Sequence, residues 1–232
     1  MRIFHNRFRR GATQLLWGGC RPERIEASVD LIDSRSTDES KAAAACSTFH
    51  TRETVPTRMT RPTPWFERRF ELDARIEQLP NVCSRLRGAP ARLDELLNAQ
   101  RELLTRRPDP SHWSAQEHAG HLADLEPLWR ARVQDFALGR STLTAADLTN
   151  RATFDARHND REPSSIVAAF RSARGQLLSD IDALESAVFE RALVHPRLGR
   201  PMHLLDHLTF IAEHDDHHLA TIWHLVHAAR SP

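Results

Sequence analysis

The sequence predicts an all-α protein: a four-helix bundle behind a poorly structured N-terminal extension. Three observations carry this. Past Thr63, apolar residues recur at three- and four-residue steps through several long stretches. Strand-like alternation runs nowhere to a useful length. Residues 1–60 show neither period and are rich in Arg, Ser and Thr.

The extension, residues 1–60, is expected to be disordered, because its composition gives it no apolar face to bury. Its Arg-rich, acid-poor start faintly resembles a transit peptide. A start assigned too early, with Met59 the true one, fits equally; lacking periodic apolar residues, residues 1–58 are expected to be dispensable for folding. The folded domain is expected over 61–232. "TPWFERRFEL" opens it as a short aromatic segment. "LPNVCSRLRGAPARLDELLNAQRELL" sets Leu79, Val82, Leu86, Leu93, Leu96 and Leu97 on one face, with Pro90 dividing the helix.

The second helix starts at Ser114, with Glu117 three residues on as a capping box. Leu122, Leu125, Trp129, Val133 and Phe136 form its apolar stripe, Pro127 predicts a kink, and Gly139 ends it. A loop leads to the third helix, "PSSIVAAFRSARGQLLSDIDAL", whose stripe is Ile166, Phe170, Leu177, Ile181 and Leu184. "HPRLGRP" reads as a turn-rich connection, and the last helix is expected from about Pro201 to Ala229.

Composition excludes several classes of function. A net charge of +1 gives no field to draw in nucleic acid. No apolar run reaches the roughly 18 residues of a membrane helix. Three cysteines, Cys20, Cys46 and Cys83, form no CxxC pair, which argues against a disulfide framework or a cysteine zinc site and fits a reducing cytoplasm. No glycine-rich phosphate loop and no nucleophilic triad is visible.

Histidine is the unusual residue. Seven of the fourteen lie between His203 and His227, and imidazole is the commonest metal ligand among side chains. His214 and His218, four apart, share one helix face and could bind one ion. His217 is turned about 100° from His218. A third ligand should come from a facing helix. The capped helix offers His118 and His121; His121 can face inward with Leu122, Leu125 and Trp129, whereas His118 sits nearer the helix start and is expected to be more exposed. His203, His207, His224 and His227 read as core or surface residues. "HDDHHLATIWH" also has the histidine offsets of a long zinc-peptidase signature. There, however, Asp215 replaces the glutamate base and Thr221 the helix-breaking glycine. An unbroken helix carries His224 about 15 Å along the axis from His214.

Taken together, "WSAQEHAGHLADLEPLWRARVQDF", "FRSARGQLL" and "HPRLGRPMHLLDHLTFIAEHDDHHLATI" resemble the DinB/YfiT-like superfamily of metalloenzymes over roughly residues 63–230. The resemblance implies a four-helix bundle, commonly a homodimer. It implies a metal held by one histidine of the second helix and an H-x3-H pair in the last, here His121, His214 and His218. Three imidazoles leave a divalent ion, whether Zn, Ni, Fe or Mn, with an open position. Characterised relatives include S-transferases and isomerases that use low-molecular-weight thiols such as mycothiol or bacillithiol. A thiol-dependent S-transferase acting on a small molecule is therefore the leading expectation. A metal-dependent hydrolase and a non-catalytic, stress-associated metal-binding bundle are the alternatives. His217 is the candidate acid/base neighbour. Asp124, one turn from His121, is the expected carboxylate support, with Glu213, Asp215 and Asp216 flanking the ligands.

Overall fold

In the computed structural model, residues 62–99 and 101–227 are described; the extension expected over 1–60 lies outside the described residues. The first helix, α1 (Leu79–Ala99), runs straight through Pro90, where the sequence predicts a division. Pro90 has no N–H for the carbonyl of Leu86, one turn back. That carbonyl instead accepts a hydrogen bond from Arg174 Nη1 at 3.1 Å. A buried guanidinium thus replaces the missing helical bond, and the helix continues.

The capping box is in place. Ser114 Oγ accepts the Glu117 N–H at 3.1 Å, and Glu117 Oε2 accepts the Ser114 N–H at 2.9 Å. Where the sequence predicts a kink at Pro127 rather than a break, two helices stand, α2 (Ala115–Asp124) and α3 (Glu126–Leu138), separated by one residue, Leu125, which keeps helical dihedrals. Gly139 ends α3 at φ 65°, a left-handed cap that favours glycine. A short helix, α4 (Arg151–Asp155), interrupts the following loop, and α5 (Pro163–Asp182) and α6 (Leu204–His227) complete the bundle.

The connection before α6 differs from the expected turn. It is a hairpin of β1 (Ala192–His195) and β2 (Arg200–His203), antiparallel, with Ala192 opposite His203 and His195 opposite Arg200. Four-residue strands are too short for alternation to show in the sequence. The hairpin takes Pro201 and His203, so α6 begins at Leu204 rather than Pro201. The 3₁₀ turn Trp65–Glu67 represents the N-terminal aromatic segment.

The apolar core forms two clusters. One contains Leu86, Trp129, Phe136, Leu177 and Leu208; the other contains Leu93, Leu122, Ile166, Phe170 and Ile222. Between them, along each main helix, lies a polar layer. Arg174 of α5 donates to Glu126 of α3 at 2.6 Å, to Asp215 of α6 at 2.5 Å and to the Leu86 carbonyl of α1. All three charged side chains are buried. In sequence, His121 and the His214/His218 pair fall at this same junction.

Candidate metal centre

Helix α2 and the central turns of α6 bring three buried imidazoles together. The ligand atoms of His121, His214 and His218 lie within 4.8 Å of one another. His214 Nε2 and His218 Nε2 are 3.2 Å apart. His121 meets Thr153 Oγ1 of α4 through Nδ1 at 3.0 Å, which leaves its Nε2 for another partner. Burial holds all three rings in the neutral form: His121 is lowered to about 4, and His214 and His218 fall well below the ordinary histidine range. Neutral imidazoles present lone pairs, which a metal ion requires.

Donors at about 2.0–2.1 Å from one ion lie within about 4.2 Å of each other, so the spacing of the pair suits a shared ion. His214 Nδ1 is buried without a partner among the described residues. Aromatic rings wall the group. Trp65 meets His214 edge-on with centroids 4.9 Å apart, Trp113 lies 4.8 Å from His121, and Trp129 lies 5.6 Å from His214. The imidazoles open onto a cavity of about 360 Å³ that these tryptophans share with Phe66, Phe210 and His217.

Other sequence-predicted residues are placed differently. His118 is not an exposed neighbour: its Nδ1 lies 2.8 Å from His218 Nδ1, and burial lowers it to about 3. Asp124 does not support His121, although it lies one turn on; it pairs with His158 Nε2 at 2.8 Å, and Thr153 takes His121 Nδ1 instead. Asp215 is engaged by Arg174, so it is no stand-in for a peptidase base. Glu213 and Asp216 form an outer network with Arg68, Arg85 and Arg92. His217 lines the cavity, half-buried, and burial lowers its pKa. α6 continues unbroken past Thr221, and His224 stands outside the histidine group.

The family model of the DinB superfamily matches residues 85–222, more than half of the 232-residue chain. The chain belongs to the DinB superfamily. Among solved structures it is similar to one described as "YfiT from Bacillus subtilis is a probable metal-dependent hydrolase with an unusual four-helix bundle topology" (TM-score 0.60, 20% identity, covering 70% of this chain and 94% of that one). It is also similar to the mycothiol-dependent maleylpyruvate isomerase (TM-score 0.51, 11% identity, covering 62% of this chain and 60% of that one). At these identities the likeness establishes the fold. No curated protein matches the chain. Among the described residues, no helix of this DinB-superfamily chain is long and apolar enough to cross a membrane.

Several residues of the site carry no spacing signal. Thr153, Trp65 and Arg197 reach it from a short helix, an N-terminal turn and a hairpin, elements that are not periodic. His118 is the exception, since it stands one turn before His121 on the same helix.

Proposed function

We propose that this protein is a metal-dependent enzyme in which His121, His214 and His218 hold a divalent ion, and that it transfers a low-molecular-weight thiol to a small electrophile. The observation that carries the reading is the meeting of three buried, neutral imidazoles at the wall of an aromatic cavity. When bound, the ion supplies a Lewis acid that ionises a thiol or water near neutral pH. Three protein ligands leave a position for that partner. Trp65, Trp113 and Trp129 exclude water and give an apolar body a face to lie on. His217 lines the cavity and is the candidate to move a proton.

The cavity favours a thiol over water. Asp147 is the carboxylate in its lining, and its oxygens accept hydrogen bonds from Thr149 and from the Arg151 N–H. A thiol is more acidic than water and asks less of a proton acceptor such as His217. Hydrolysis is the second reading, supported by the described activity of the similar Bacillus subtilis protein. On the same reading the protein works in the cytoplasm as a homodimer.

The test is turnover by metal-loaded protein. A model electrophile should be consumed only when metal and thiol are both present, and chelation should stop the reaction. Ester hydrolysis without thiol would instead favour the hydrolase, and metal-loaded protein inert in both assays would leave a binding bundle.

A further inference from the structure

The cavity beside the histidines contains two arginines, Arg132 and Arg197, that form no ion pair with a carboxylate among the described residues. Arg132 of α3 is buried, 2% exposed, and Arg197 sits in the hairpin turn; both line the cavity. Among the described residues the other deeply buried arginine, Arg174, has two carboxylates of its own. Arg132 and Arg197 have none within ion-pairing distance among the described residues. Asp135, whose charge reaches Arg132 without pairing with it, accepts both the N–H and the hydroxyl of Thr144, at 2.6 and 2.7 Å, and also pairs with Arg140.

The contacts the two guanidiniums do make are weak in charge. Arg132 Nε donates to the Thr144 carbonyl at 2.8 Å, and its plane lies over Trp129. Arg197 lies over Phe66 and Phe210, and its Nη2 is buried without a hydrogen-bond partner. Arg132 Nη1 also lies 3.2 Å from His195 Nε2. His195 Nδ1 accepts the Leu198 N–H at 3.2 Å. Each ring nitrogen thus faces a group that can only donate, and a neutral imidazole can accept just one of the two. Two donors then face each other without an acceptor, and an anion would supply one. Burial lowers Arg132 to about 10, with Asp135 opposing the shift and Arg197 adding to it, so the charge persists at neutral pH. A buried, uncompensated charge is costly, and a guanidinium fork matches a carboxylate or phosphate.

We propose that Arg132 and Arg197, with His195 beside them, form an anion subsite of the cavity, and that the substrate is a small amphipathic molecule with an apolar or aromatic body and a carboxylate or phosphate head. This rests on the reading of the cavity as the substrate site. The head binds under the hairpin, and the body lies along the tryptophans with its reacting end toward His121, His214 and His218.

The test is calorimetric titration of the full-length, metal-bearing protein with phenylbutanoate, phenylpropylphosphonate and the uncharged phenylbutanol. One of the two anions should bind at least about tenfold more tightly than the alcohol, and whichever binds tighter names the head. Arg197→Gln, at a half-buried position in a turn, should remove that preference and leave the alcohol's affinity and the metal content unchanged. Arg132→Lys should also weaken the anion, since an ammonium cannot present the fork. Repeating the titration after chelation separates the two readings: a preference that survives in metal-free protein upholds the subsite whatever becomes of the metal. Equal affinities for all three probes, no measurable binding of either anion at millimolar concentration, or a preference untouched by both arginine variants would overturn it.

Discussion

The imidazoles of His118 and His218 meet Nδ1 to Nδ1 at 2.8 Å, so one of the two nitrogens carries the proton. His118 is neutral, and its Nδ1 can accept. If His218 donates, its Nε2 keeps a lone pair facing His214, the tautomer a metal ligand needs. His118→Phe should therefore weaken metal affinity by about 10–100-fold with little change in the melting temperature. Metal titration beside thermal melting checks both. Undiminished affinity would make His118 a packing residue. At this scale the sequence was informative where spacing mattered: the i,i+4 pair and His121 come together as helical geometry predicts. It was silent on Arg132, which reads as one more charge in a solvated stretch, and on Thr153, whose approach depends on α4 folding back against α2.

Gly120 determines how closely two elements can approach. A Cβ there would stand 2.1 Å from the ring of His158, which is fully buried and tied to Asp124. Two effects compete in Gly120→Ala. Helix propensity favours alanine by about 1 kcal/mol, while overpacking a buried ring costs typically 1–3 kcal/mol or more. So severe an overlap with a ring that has no room to move puts the cost at the upper end, and a net loss of stability is expected in chemical denaturation. A stabilised variant would mean that His158 moves freely. Ser114→Ala should cost about 1 kcal/mol by removing the cap. The helices, the cap and the place of the interruption near Pro127 were legible in the sequence because each has a local cause. The continuity of α1 was not, because the donor that replaces Pro90's missing N–H comes from Arg174, 84 positions away by number. The hairpin was not, because its strands are shorter than one readable period.

The Arg174 cluster holds the whole bundle together, since one guanidinium binds α1, α3 and α6 from α5. Arg174→Met would strand Glu126 and Asp215 in the core, and breaking such a pair costs about 3–5 kcal/mol. A melting temperature close to that of wild type would contradict this. Stability should also depend on pH through histidines outside the candidate metal group. Burial holds His207 well below the usual value and His195 at about 4. In the unfolded chain both take up a proton near pH 6.5. Their neutral, buried state is thus fully compatible with folding above pH ~6.5, and stability falls as pH drops from there toward 4, where His195 protonates in the folded state as well. His207→Leu should flatten this slope by about 1.4 kcal/mol per pH unit; an unchanged slope would show that His207 titrates alike in both states. The measurement that tests the central claim most directly is the metal content of protein purified without a histidine tag, for wild type and for His121→Ala, His214→Ala, His218→Ala and His224→Ala. The account predicts close to one divalent ion per wild-type chain, its loss in each of the first three variants and full retention in His224→Ala. Full occupancy in His214→Ala, or an empty site in His224→Ala, would contradict it.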